Sequence, residues 1–227
     1  MYCMSNEYIT EVFKRLKKDK QEHIFQAAAA EFTDQGYTKA SMNTLARVAG
    51  VSKGSIFQYF RSKELLFDFV LNAATNRVKD YLRKVRDESV DQDFFSQFHN
   101  LLFSGFRFIK KHPHLARIYF HVLQSGDSPF GVNKLKALHR KAQSFLEEIV
   151  REGIKRGDIR PDIDVDKTVY LLNVISNNLL RSYYIEFLPP TSDFYLADEA
   201  KLHEWVDSTV DFIRCGLGEK ANKRGIK

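Results

Sequence analysis

Apolar residues recur at intervals of three and four along most of this chain, and no stretch sustains a two-residue alternation of apolar and polar positions. The pattern predicts helices and no sheet. An arm at 7–18 sets Tyr8, Ile9, Val12, Phe13 and Leu16 on one face and Lys14, Arg15, Lys17 and Lys18 elsewhere, an amphipathic basic segment compatible with a helix. A firmer helix is expected over 20–35, with Ile24, Phe25, Ala28, Ala29 and Phe32 inward and Gly36 as its stop. Short helices follow at 42–49 and 53–59, and a longer one runs from the N-cap candidate Ser62 toward Arg83.

Beyond a polar stretch at 86–93 the composition turns aromatic, and helices are expected at 94–111, 113–124, 130–156, 164–187 and 198–216. Turn signals separate them: "KHPH" at 111–114, "SGDSPFG" at 125–131, "KRGDIRPDID" at 155–164 and "LPPTSD" at 188–193. The expected architecture is all-α, about nine helices in total, with a small N-terminal domain at 19–66 and a larger helical domain at 67–218. The arm at 1–18 and a basic tail at 219–227 flank them.

The chain has 227 residues and a net charge of +6, which favours an anionic partner without identifying it. Cys3 and Cys215 lie at opposite ends and make neither a disulfide framework nor a zinc site. With no leader-like start and no window approaching the ~20 apolar residues of a membrane span, a cytoplasmic location is expected. Charge is unevenly placed. Between Lys39 and Lys63 stand Lys39, Arg47, Lys53, Arg61 and Lys63 and no acid, so 25 residues carry +5.

The same segment has the makings of a helix-turn-helix. Leu45 and Ala46 supply an inner face, Gly50 the backbone freedom of a tight turn, Val51 its filling and Ser52 a cap for the next helix. Helix starts at Ser41 or Met42 and at Lys53 would turn free amides, hydroxyls and ammoniums toward phosphate oxygens. Ile56 and Phe60 are expected in the core.

With these elements in this order, "GYTKASMNTLARVAGVSKGSIFQYFRSKELLF" resembles the N-terminal DNA-binding domain of the TetR family of bacterial transcription regulators, over about residues 20–70. The resemblance implies that Ser52 to Tyr59 is a recognition helix for the major groove. It implies Lys53, Ser55, Phe57 and Gln58 at base edges or adjacent sugars, and Ser41, Thr44, Ser52, Tyr59 and Lys63 at phosphates. The chemistry agrees, since Gln58 can bond adenine twice, Lys53 can donate to guanine and Phe57 can touch a thymine methyl. The family often has tyrosine where this chain has Phe57, which leaves that ring between base contact and packing.

The resemblance further implies a homodimer on a palindromic or near-palindromic double-stranded operator, paired through the helices at 164–187 and 198–216, and a small-molecule effector held in the larger domain. An apolar or aromatic ligand is the expectation, with Phe103, Phe106, Tyr119, Phe120, Asn173, Asn177 and Arg181 as candidate lining. Asn173, Asn177, Arg181 and Tyr184 form a polar stripe that can orient a ligand, line a subunit interface or meet solvent. His112, His114, His121 and His139 lack the partners of a metal site, so neither metal nor cofactor is expected. No phosphate-binding loop, nucleophile elbow, zinc-protease or dinucleotide motif is present, and an enzyme is not expected. The expected function is a DNA-binding transcription regulator, a ligand-responsive repressor; a ligand-independent or architectural DNA binder and, behind it, a helical enzyme are the alternatives.

Overall fold

The computed structural model describes residues 9–125, 127–188 and 191–218. Expectations placed on residues 1–8, including Cys3 and Tyr8, on the turn residues Gly126, Pro189 and Pro190, and on the tail at 219–227 lie outside the described residues. Among the described residues ten α-helices follow in order: α1 Glu11–Lys14, α2 Lys18–Lys39, α3 Met42–Val48, α4 Lys53–Phe60, α5 Lys63–Glu88, α6 Phe94–Lys111, α7 Pro113–Ser125, α8 Val132–Arg156, α9 Val165–Ser182 and α10 Glu199–Leu217. A 3₁₀ turn at Ser192–Phe194 precedes α10. No strand occurs among the described residues; only an isolated bridge joins Ile159 and Gly218.

Several boundaries differ from the expectation, and three of them have a clear local reason. Among the described residues the arm is helical only over Glu11–Lys14, because Thr10 caps it and the side-chain amide of Gln21 then binds the carbonyls of Phe13, Lys14 and Leu16, folding the chain into a turn. Helix α5 runs on through Arg86 to Glu88, where Arg86 pairs with Asp87 and Glu148 and Lys84 with Glu88. Helix α9 stops at Ser182, not near 187, since buried Tyr183 packs on Phe106 and its carbonyl accepts from the Leu196 amide.

The chain forms two compact units, Met1–Asp80 with Ile109–Leu135, and Tyr81–Phe108 with Lys136–Lys227. The crossings between them fall inside α5, α6 and α8, and α7 belongs to the first unit, so this division differs from a single cut after residue 66.

In the first unit, Ile24, Ala28, Phe32, Leu45, Ile56, Phe60, Leu66 and Val70 are almost wholly buried. Phe13, Phe60 and Phe69 pack as a triangle of rings, 4.8 to 5.6 Å between centroids, which holds the arm and α4 to α5. Each such ring contributes about 1.5–3 kcal/mol by burial. Helix α7 packs on α2, where the Thr33 hydroxyl donates to the His114 carbonyl at 3.0 Å. Gly36 takes φ 70°, breaking α2 as expected, and an added Cβ there would overlap the Asp127 carboxylate.

The second unit has its own core of Phe94, Phe98, Leu102, Phe106, Ile149, Val150, Leu172, Phe194, Val206 and Ile213. Asp93 caps α6 by accepting from the amides of Phe95 and Ser96. The Gln97 amide closes the preceding turn on the carbonyls of Ser89, Val90 and Gln92.

Candidate nucleic-acid interface

Helices α3 and α4 are short, so their caps matter more than their length. Ser41 caps α3, its hydroxyl oxygen accepting from the Thr44 amide at 3.3 Å while its own amide donates to Glu31 at 2.7 Å. Gly50 turns the chain at φ 61°, and the Val51 amide closes on the Ala46 carbonyl at 3.0 Å. Ser52 then caps α4, accepting from the Ser55 amide at 3.0 Å, with the two hydroxyls 2.8 Å apart.

This geometry fixes which side of α4 faces outward. Ile56 and Phe60 are fully buried, as expected, and pin the helix to the core. Lys53, Gly54, Phe57 and Gln58 are exposed, spaced by one helical turn on one face, and Arg61 follows them at the end of the helix. Phe57 is 38% exposed, so its ring stands outward instead of in the core. Tyr59 goes the other way. It is 8% exposed with its ring 5.9 Å from that of Phe13, which corrects the expectation that it is offered outward. The arm covers it, a contact that α4 alone does not encode.

Around this face the remaining expected residues fall into place unequally. Ser41, Thr44 and Ser55 are half-buried, Ser52 is exposed, and the hydroxyls of Ser41 and Ser52 already serve as caps. The Lys63 ammonium donates to the Thr38 carbonyl at 3.1 Å and lies 4.9 Å above the Tyr37 ring, which holds it in place. Burial, aided by the charges of Glu64 and Asp127, pushes the Tyr37 hydroxyl above its ordinary range. Lys39, Arg47 and Arg61 are exposed as well. Among the described residues none of Lys39, Arg47, Lys53, Arg61 and Lys63 makes a salt bridge. Five cations without a salt bridge in one 25-residue segment make that segment suited to a polyanion.

The candidate effector residues are divided between the two units. Tyr119 and Phe120 belong to the first unit, the other five to the second. Burial pushes the Tyr119 hydroxyl up to about 12. Phe106 is fully buried between Tyr183 and Phe194, and Phe103 stacks on His203 at 3.8 Å, so both rings already have protein partners. On α9, Asn173, Asn177 and Arg181 are half-buried; Asn177 donates to Asn173 at 2.6 Å, and the Arg181 Nε is buried with no hydrogen-bond partner. Among the described residues no group of histidine, cysteine and carboxylate side chains could hold a metal ion, and no helix is long and apolar enough to cross a membrane.

Two family descriptions match the chain: "Bacterial regulatory proteins, tetR family" over residues 24–70, and "Tetracyclin repressor-like, C-terminal domain" over 92–218. YhgD, an HTH-type transcriptional regulator of Bacillus subtilis, is 27% identical over 154 residues, 68% of this chain and 78% of the relative. Among solved structures, a TetR family transcriptional regulator from Chloroflexus aurantiacus superposes with a TM-score of 0.75 at 22% identity, covering 94% of this chain and all of the other. The regulator FadR from Bacillus subtilis, in complex with stearoyl-CoA, gives 0.64 at 16% identity over 85% of this chain and 96% of the other. Both structural likenesses are likenesses of fold.

Proposed function

The chain belongs to the TetR family of bacterial regulatory proteins, and from that premise we propose that it is a homodimeric repressor that reads a palindromic operator through α4 and releases it when an effector binds. The observation that carries the reading is the outward face of α4. Lys53, Phe57 and Gln58 offer a cation, an apolar ring and a bidentate amide to base edges, among cations that no carboxylate neutralises. Ser41, Thr44, Ser52, Ser55 and Lys63 serve phosphates and sugars in this reading, with Lys39, Arg47 and Arg61 beside them. Residues 19–66 act as the reading head.

A recognition helix of this length meets only a few base pairs, so two copies are needed. Tyr170, Leu171 and Val174 on α9 and Phe212 on α10 are 58, 56, 46 and 73% exposed, a set of large apolar residues that a second subunit would cover. Repeating the operator half-sites as a palindrome follows from that two-fold symmetry.

The effector in this reading has an apolar body and a polar or anionic end, the latter met by Arg181 with Asn173 and Asn177. An orphaned buried Arg181 Nε supports this, because a buried guanidinium donor gains about 1.5–3 kcal/mol from an ionic acceptor. By linkage, an effector that favours misplaced reading helices weakens DNA binding, and DNA weakens effector binding equally.

The test is selection of duplexes from a random-sequence pool by the purified chain, followed by binding to selected and scrambled duplexes at several salt concentrations. A near-palindromic consensus bound more tightly than its scramble at every salt supports the regulator. Equal binding of both would leave an architectural DNA binder.

A further inference from the structure

A second concentration of charge lies outside the reading motif. From Lys14 to Lys20 the chain reads "KRLKKDK", a net +4 in seven residues. Together with the +5 of residues 39–63 this exceeds the whole chain's +6, so everything else is net acidic. Like charges held this close repel one another, and a fixed cluster of them is an electrostatic cost to the fold unless an anion meets it.

The cluster is fixed, and it is fixed to α4. The Thr10 amide donates to the Tyr59 carbonyl at 3.0 Å and the Thr10 hydroxyl to the Gln58 carbonyl at 2.8 Å, so the arm supplies donors to the open carbonyl end of the reading helix. Phe13 is 1% exposed among Tyr59, Phe60 and Phe69. The Gln21 amide then gathers the carbonyls of Phe13, Lys14 and Leu16 at 3.0 to 3.1 Å, which shapes the turn that carries the cations. Arg15, Lys17, Lys18 and Lys20 are exposed, and among the described residues none of them makes a salt bridge. The bridge from Lys14 to Glu11 holds the Glu11 carboxyl below its ordinary range, with Arg15 a lesser contributor.

We propose that the turn Lys14–Lys20 is a second DNA contact, in which Arg15, Lys17, Lys18 and Lys20 bind backbone phosphates flanking the half-site that α4 reads. This rests on the reading of α4 as the DNA-reading helix. Apart from Leu16 and Asp19 its side chains are cations, and in this proposal they lie along the backbone phosphates outside the bases that α4 meets. It therefore adds affinity and footprint, not sequence preference. Because Thr10 bonds to the carbonyls of Gln58 and Tyr59, the arm also fixes where those phosphates stand relative to the bases α4 meets.

The experiment compares the full chain with a variant carrying Arg15→Gln, Lys17→Gln and Lys18→Gln, on the selected duplex, over a range of salt. A control variant carries Lys136→Gln, Arg140→Gln and Lys141→Gln, three exposed cations of the other unit. The slope of log affinity against log salt should fall by about 0.9 for each phosphate that the arm no longer neutralises, roughly two to three in total, and should do so for the arm variant alone. Ethylation interference at phosphates flanking the half-site should vanish, while the ratio of selected to scrambled affinity stays as in the parent and the melting temperature of the free protein does not fall. An unchanged slope with the parent's specificity intact overturns the arm contact and leaves the α4 reading standing. An equal fall in the control variant overturns it in favour of a general charge effect. A loss of the selected-to-scrambled ratio in the arm variant overturns it in favour of a purely structural prop for α4. If the parent itself shows no such ratio, the α4 reading fails, and the slope comparison on any duplex still decides the arm.

Discussion

Helices α4 and α9 each turn a face away from the core, and the two faces are chemically opposed. On α4 the outward residues are Lys53, Gly54, Phe57 and Gln58, polar and basic but for one ring. On α9 they include Tyr170, Leu171 and Val174, apolar and large. The inward faces are alike, Ile56 and Phe60 on one, Val169 and Leu172 on the other. Burial thus explains why both segments are attached and says nothing of what each is for. The outward faces carry that difference: one can satisfy a polyanion in water, whereas the other gains by leaving water against a second protein surface.

The comparison can be broken hardest from the inside. Phe60→Ala removes a fully buried ring between Phe13 and Phe69 and should cost about 3–5 kcal/mol, read as a lower denaturation midpoint. Leu171→Asp, on a residue 56% exposed in the single chain, should leave the fold standing but weaken self-association by roughly 2–4 kcal/mol, seen by sedimentation as a shift from dimer toward monomer. If the species stays dimeric, α9 is not the interface.

Phe57→Ala sharpens the other side. With the ring 38% exposed, the melting temperature should hardly move while operator affinity falls by about 1–3 kcal/mol. A large drop in stability with unchanged affinity would return the ring to a packing role. Ser52→Ala removes the acceptor for the Ser55 amide and should cost about 1 kcal/mol, with operator binding falling further than stability alone predicts because the cap also places Lys53.

Acid gives the smallest contrast, and one that both units share. For Asp93, burial alone would raise the carboxyl, but its bonds from Ser96 and Phe95 outweigh that and hold it below the ordinary range. Asp127 shows the same balance, burial against bonds from Thr38 and His121. A depressed folded pKa means stability fully present above the ordinary carboxylate range, near about 4, and lost as pH falls through the lower folded value. Asp93→Asn and Asp127→Asn should each lower stability slightly at neutral pH and flatten the acid limb of the stability curve below about pH 4, read as denaturation midpoints across that range.

Much of this was legible in the chain. Helix α6 has the expected bounds, Gly36 and Gly50 sit at positive φ where the chain turns, and Ser41 and Ser52 cap where hydroxyls precede helices. These are local rules, decided within a few residues. What was not legible involved partners distant in sequence. Tyr59 reads as outward on α4 until Phe13, more than forty positions earlier, covers it. The arm reads as a loose basic helix until Thr10 finds the carbonyls of Gln58 and Tyr59.

The sequence by itself determined the helices, their caps and turns, the family, and the placing of positive charge in two short stretches near the N-terminal end. Periodicity, capping and charge are properties of neighbours along the chain, so no folding is needed to read them. Only the tertiary structure decided that Phe57 stands free and Tyr59 does not, that Arg181 keeps a buried donor unmet, and that the second basic stretch is bound to the end of α4. Exposure and hydrogen-bond satisfaction depend on which distant side chains arrive, and a helical pattern shows which face turns inward without saying what meets it.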